Sequence, residues 1–557
     1  MLLTGAMFAA ASLVAAQDSD PTDSTPGQET YGPNLADFPP GYNPLTGLPV
    51  SDPENLSLPA VLISITNFPV SARPQAGPSF APYIFEMYIS EGMTRFLTIF
   101  YGDYPEPEVP VTGECPIRTE PFVTTGLIVG NYVWHDGNGD GLQTVDEGPI
   151  SGVCVNLYDG ETDELLDSTS TDSNGYFGFN VEADKKYYIK FVPPSGMDFT
   201  DPDLGDDDFS DSDADKENGI TPIFTVAADD FSWDAGFLGV GDQAGLGGEG
   251  EAGDNGQGES SSTEGETDQQ QTTQVENDSS NFEKPGDWVG TYIYDFFIGP
   301  VRSGRLPYKW VLEWFWKACI IYAGKDDQVD IPGCASVFGN DKTDINSAFL
   351  SITRMKEIAK QSQVPGETVD YSGNTYLSLP SSSGKYSGPD LPNLPSAGAA
   401  NEVLMFYNFL NQAKWVFDPL SGGYLRHTDA ADGSGMFYPA TDRLNGRQLI
   451  FHNVIIMFAR HNAITPTIID INLNFNEGPA ILFKDGKAYK IVWHTLSDDQ
   501  ARETGRNRPV KFVDSDGNPV PLHPGQTWVH IVTYDSSAWE QSAGSWKVRF
   551  YAPPGTQ

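Results

Sequence analysis

The sequence predicts a multidomain protein: an α/β or α+β host domain, a β-sandwich inserted into it, and a mainly β C-terminal domain. Three observations carry this expectation. At 557 residues, with 39% hydrophobic and 12% aromatic residues, the chain is long enough to bury more than one core. Apolar runs rich in β-branched and aromatic residues recur at both ends of the ordered sequence, as strands require. Between them, residues 126–237 change texture to short strand-like runs punctuated by Asp, Asn and Gly, the residues that turns select.

Taken in order, residues 1–16 form an apolar run ending in Val14, Ala15 and Ala16, which reads as a secretory signal peptide. No Lys or Arg precedes it, so the true translation start is left open. Residues 17–42 are dense in Pro, Asp, Ser, Thr and Gly and are expected to be a disordered spacer. The host begins at 43–110, with strand candidates at 60–65, 83–88 and 96–101. The sandwich is assigned to 119–237. A Gly/Glu/Ser/Gln tract without apolar periodicity, 238–285, is an acidic disordered linker. The host resumes over 286–364, with a strand at 291–297, an aromatic helix or buried strand at 310–322, and an amphipathic helix at 349–361. A Pro/Ser/Gly-rich linker at 365–399 precedes the β-rich C-terminal domain, 400–553.

The net charge of -45 is local rather than global. Residues 127–237 contain 25 acidic side chains against four lysines and no arginine, and 238–285 add eleven acids and one lysine. Such acidity argues against a nucleic-acid partner. After the first sixteen residues no apolar run is long enough to span a bilayer, so the mature chain is expected outside the cytoplasm without a transmembrane segment. Cys115, Cys154, Cys319 and Cys334 permit three pairings. Cys319 with Cys334 is preferred, and four free thiols are the alternative. None has zinc-site spacing.

The sharpest motif is residues 136–147, which fit D-x-[DN]-x-[DN]-G-x5-E, the twelve-residue loop that wraps Ca²⁺. Asp136, Asn138 and Asp140 offer side-chain oxygens, Gly141 permits the sharp turn, Leu142 offers its carbonyl and Glu147 closes the shell. The bland alternative is an acidic solvated turn. The flanking residues 127–134 and 153–158 read as strands, so the loop is EF-hand-like but set in a sandwich.

The runs V-G-N-Y-V-W-H-D-G-N-G-D-G-L-Q, G-V-C-V-N-L-Y-D, T-D-S-N-G-Y-F-G-F and D-S-D-A-D ending in D-A-G-F resemble the B-type repeat of bacterial serine-aspartate-repeat (Sdr) surface proteins. That resemblance covers about 110 residues. It implies an immunoglobulin-like sandwich made rigid by calcium, with Asp211, Asp213 and Asp215 joining a second, weaker site; a flexible acidic loop is the alternative for those three. On either side, N-P-L-T-G-L-P-V, A-R-P-Q, E-G-M-T-R-F, I-G-P-V-R-S-G-R, N-G-R-Q-L-I-F-H-N-V-I-I and H-P-G-Q-T-W-V resemble the YerB-like (DUF3048) family of exported bacterial proteins. The resemblance implies that the sandwich interrupts the host between residues 103 and 287. One departure is Asp344-Ile345-Asn346, where the family usually shows Pro-His-Asn.

Within these host motifs Arg73, Glu91, Arg95, Arg302 and Arg305 form a charged set that could bind a carboxylate or phosphate; structural ion pairing is the alternative. Glu86 with Glu91 is the one carboxylate pair that tempts a hydrolase assignment. His427, His452, His461, His494 and His523 lack zinc-hydrolase spacing, and neither a G-x-S-x-G elbow nor a P-loop occurs. No catalytic residue is assigned. The sequence therefore points to an exported surface or envelope protein with a binding or structural role, cell-wall or envelope components as partners, and Ca²⁺ as its cofactor. A cell-wall-acting enzyme or a regulator of envelope enzymes is the alternative, and adhesion through the sandwich a third.

Overall fold

The computed structural model describes residues 35–105, 115–116, 122, 124–143, 147, 149–172, 175–194, 196–204, 209–239, 297–339, 344–373, 375–376, 394 and 396–556. Expectations for residues 1–34, most of the acidic linker, 291–296 and loop positions 144–146 therefore lie outside the described residues.

The host is organised around one twisted sheet of eleven strands. Its strands Val61–Thr66, Tyr83–Ser90 and Met93–Phe100 are buried along almost their whole length, as a sheet covered on both faces demands. Tyr83–Ser90 then pairs in parallel with Thr527–Thr533, which pairs in parallel with Asn453–Ala459, and Glu477–Lys484 and Lys487–His494 continue the sheet. The N-terminal and C-terminal parts of the host, through strands more than 400 residues apart in the chain, thus share a sheet and one core. Helices Tyr308–Glu313 and Ile352–Ser362 contribute buried side chains to this core, with Phe85 edge-on to Trp314 at 5.6 Å between ring centroids. Strand Cys319–Tyr322 follows the shorter helix and adds to the sheet beside Val61–Thr66. A second, seven-stranded sheet built from Glu402–Asn408, Asn411–Phe417, Tyr424–Asp429 and their neighbours packs over the middle of the first, where Trp415 meets Trp528.

Period-2 side-chain alternation decides what each face of the Tyr83–Ser90/Met93–Phe100 hairpin holds. Met87 lies opposite Arg95, and Glu86 opposite Phe96. Glu86 bonds Trp528 from the sheet-facing side, whereas Arg95 bonds Ser303 ahead of the Tyr308–Glu313 helix. The chain that returns after the acidic linker rejoins the same hairpin region: Gly299 bridges to Ala76 and Val301 to Ile65.

Two segments expected as linker or spacer are ordered in part. Phe38 and Tyr42 are buried in the host core. Tyr371, within the expected 365–399 linker, is fully buried, donating to Trp316 O at 2.9 Å and accepting from Ala60 N at 3.1 Å. Large aromatic rings supply enough apolar area to order flanking segments whose composition is otherwise polar.

The inserted module is a sandwich of two four-stranded sheets with its own core. One sheet runs Phe224–Thr225, Lys186–Val192, Cys154–Asp159, Leu165–Ser170; the other runs Asp198–Phe199, Ala235–Leu238, Leu127–His135, Tyr176–Val181. Alternation again sets the core: Tyr187, Ile189 and Phe191 point inward, and the residues between them face out. The module touches the host, with Phe122 N donating to Asp418 Oδ1 at 2.8 Å and Arg447 Nη1 donating to Thr171 O. Cys115 pairs with Cys154, tying the entering chain to the module, and Cys319 pairs with Cys334. Among the described residues no helix is long and apolar enough to cross a membrane.

Candidate metal centre

Strand Leu127–His135 carries the chain through the module core and delivers it into the acidic loop. The hinge residue is Gly141. Its φ of +74° lies in the left-handed region, and a Cβ there would sit 2.8 Å from Asp201 O, so only glycine fits without displacement. Asp136 is the inner anchor, 0% exposed. Its carboxylate accepts from Gly139 N at 2.7 Å, from Gly141 N at 2.9 Å and from Thr200 Oγ1, which fixes its direction. Asn138 Oδ1 accepts from Asp140 N at 2.8 Å, and Asp140 Oδ1 from Leu142 N at 2.9 Å, so these bonds hold the polar side chains along the turn.

Carboxylate oxygens of Asp136, Asp140 and Glu147 all come within 4.8 Å of one another. Glu147 is 7% exposed and Asp140 is exposed. The donor set is entirely oxygen and rich in carboxylate, which suits a hard divalent cation of the Ca²⁺ type and not a thiolate- or imidazole-loving metal. Asn138, between Asp136 and Asp140 in the loop, turns its side chain to Asp140, with Nδ2 donating to Asp140 Oδ2 at 3.0 Å. Leu142, the expected carbonyl donor, bridges to Asp211.

That bridge joins the loop to the second acidic segment. Asp211 and Asp213 are buried, and Asp213 Oδ2 accepts from Asp234 N at 2.6 Å. Asp215 lies elsewhere: it is exposed, and its carboxylate accepts from the backbone of Glu217 and Asn218 in a turn. The group that accompanies Asp211 and Asp213 is Asp234, held by Asn131 Nδ2 and Tyr132 N at 2.9 Å each. Burial, then the carboxylates of Asp213 and Asp211, push Asp234 well above the ordinary aspartate range despite those bonds. The Sdr resemblance implied Asp215 as the third member; Asp234 lies about twenty residues away, at the head of D-A-G-F.

The charged host set divides into three. Arg73 donates to Asp429 Oδ1 at 3.2 Å and to Asp429 O at 3.0 Å, an ion pair buried between the sheets. Glu91 is exposed at a hairpin turn with φ of 51°. Arg95, Arg302 and Arg305 come together on the opposite face. Glu86 and Glu91 do not share a cleft, because Glu86 is fully buried. It accepts from Thr94 Oγ1 at 2.7 Å and Trp528 Nε1 at 3.1 Å, beside His530 at 3.2 Å and Arg426 at 3.8 Å. Burial alone would raise its pKa, but His530 and Arg426 hold it below the usual carboxylate value. Among the histidines, His452 and His523 stack at 4.8 Å, and burial lowers them to about 3 and about 4.

Residues 45–120 match the N-terminal domain described as "Protein of unknown function (DUF3048)", and residues 404–529 match its C-terminal domain. Residues 127–237 match the SdrD B-like domain. The chain carries both DUF3048 domains and an SdrD B-like domain. Among curated proteins, the module is similar to a "Fibrinogen-binding protein" of Staphylococcus epidermidis, 40% identical over 116 residues, which are 21% of this chain and 10% of that protein. It is likewise similar to "Serine-aspartate repeat-containing protein D" of Staphylococcus aureus strain Newman, 39% identical over 110 residues, 20% of this chain and 8% of that protein. The chain therefore spans only about a tenth of these relatives, over the region of the SdrD B-like module. Among solved structures, the YerB protein of Bacillus subtilis aligns with 88% of this chain and 96% of that chain, at 15% identity and a TM-score of 0.41.

Proposed function

We propose that this is an exported surface or envelope protein with a binding or structural role, in which Ca²⁺ stiffens the SdrD B-like module against a DUF3048 host. The observation that carries the proposal is the convergence of Asp136, Asp140 and Glu147 on one point in the loop whose spacing matches a calcium motif. Asn138 and Leu142 supply the remaining loop oxygens. Asp211, Asp213 and Asp234 form the adjoining acidic layer, through which a second ion would act. When bound, Ca²⁺ supplies positive charge that lets these carboxylates stay close, and the residues contribute a loop whose direction Thr200 and Gly141 already fix.

Export is supported by the apolar residues 1–16 and by two cysteine pairs, which persist in oxidising compartments. The contacts of Asp418 and Arg447 with the module favour a spacer set at a defined angle over a freely swinging adhesive head. The test is a calcium titration of the intact chain followed by calorimetry, beside an Asp136→Ala, Glu147→Ala double variant. A calcium-dependent rise in the module's unfolding midpoint that the variant lacks supports the proposal; no rise in the wild type defeats it.

A further inference from the structure

Arg95 arises from the middle of strand Met93–Phe100 on the face that packs against the segment leading into helix Tyr308–Glu313. It is 4% exposed. Its Nη1 donates to Ser303 O and Ser303 Oγ, both at 2.8 Å, and its Nε finds no acceptor. Arg305 is half-buried with an Nε in the same condition, its Nη1 donating to Thr467 O at 3.3 Å. Arg302 donates to Ile345 O at 3.1 Å and Asn346 Oδ1 at 3.3 Å.

All these acceptors are neutral. Among the described residues, none of the three guanidiniums makes an ion pair, although Asp344 and Asp326 act on Arg302 and Arg305 from a distance. Burial, then Arg305 and Arg302, push Arg95 down to about 9, because the three like charges act on one another in a poorly solvated place. A buried cation without a counter-charge is costly, and folded proteins rarely keep one. Arg73 and Arg426 in this same host each have their carboxylate, Asp429 and Glu86.

The geometry points to an oxyanion site, in which Arg95, Arg302 and Arg305 receive a phosphate group from outside the chain. Three guanidiniums suit a phosphate dianion better than a single carboxylate, since guanidinium forks match phosphate oxygens and the positive charge present exceeds one. The recess beside Arg305, lined by Met87, Tyr88, Leu306, Val329 and Ile468, has room for only about one water molecule, so the ligand is bare phosphate and not a phosphomonoester with a bulky substituent. This site lies on the host and is independent of the calcium loop.

The test is isothermal titration of the intact chain in calcium-free buffer at fixed ionic strength, with inorganic phosphate, phenyl phosphate and acetate as probes. Phosphate should bind, phenyl phosphate should bind no more tightly, and Arg302→Gln and Arg305→Gln should each weaken phosphate at least tenfold while melting like the wild type. Should either variant fail to fold, phosphate protection of the wild type against phenylglyoxal, mapped by mass spectrometry, replaces it: Arg302 and Arg305 should be shielded and exposed Arg354 should not. Absence of phosphate binding, equal binding of acetate, or equal labelling with and without phosphate would overturn the assignment. Tighter binding of phenyl phosphate than of phosphate would overturn the assignment to bare phosphate.

Discussion

Removing calcium should cost the module a predictable amount of stability. Asp136 and Glu147 are both buried, with carboxylate oxygens no more than 4.8 Å apart. Two unit charges at that separation, at an effective dielectric of ~20, repel by about 3.5 kcal/mol. Loop relaxation recovers part of this, so chelation should destabilise the module by about 3 kcal/mol, the amount a ligand confers at roughly 100-fold above its dissociation constant. For a domain of this size that corresponds to a fall of about 12–20 °C in midpoint. Scanning calorimetry of the intact chain, and of segment 119–237 with its separate core, would measure it with and without 2 mM calcium. The same repulsion makes a second, less obvious demand: in chelator, Glu147→Gln, which removes the repulsion and leaves Asp136 its three donors, should melt no lower than the wild type. A calcium shift below about 3 °C, or a variant that keeps the full shift, would refute the electrostatic account.

Other expected outcomes are independent of that one. Gly141→Ala should lose about 2 kcal/mol and weaken calcium binding, because a left-handed φ and contact with Asp201 O both oppose a Cβ; calorimetry with calcium present would detect it. Glu86→Gln should destabilise the host by about 3 kcal/mol, since it leaves Arg426 buried without its carboxylate, and a urea midpoint matching the wild type would show that Glu86 is no structural anchor. Asp234 has a folded pKa raised above its unfolded value, so in chelator the folded module binds the extra proton. Its stability should therefore fall as pH rises from about 4 towards neutrality, and Asp234→Asn should flatten that slope in melting curves.

The acidic loop was legible because it is local. Asp136, Asp140 and Glu147 lie within twelve residues, a separation short enough for one turn of chain to bring their carboxylates within 4.8 Å of one another. Asp215, grouped with Asp211 and Asp213 by the Sdr resemblance, is exposed in a turn while the other two are buried, a difference set by the chain's path after Asp213. Strands were recognisable from β-branched and aromatic runs, and helix Ile352–Ser362 from its 3.6-residue period.

What the sequence by itself determined was therefore the type of its most strongly periodic elements, the presence of one acidic module within another fold, and a local acidic loop; 310–322, left as helix or strand, is a helix end followed by a strand. Tertiary structure decided which distant elements meet. It joined Tyr83–Ser90 to Thr527–Thr533, so that the two ends of the host share one sheet. It also sorted Glu86 and Arg95, nine positions apart, onto opposite faces of one hairpin: one into a satisfied core network, the other beside Arg302 and Arg305. Hydrophobic periodicity fixes which face of a strand is buried, but both faces of this sheet are buried, and only long-range pairing determines what each then encounters.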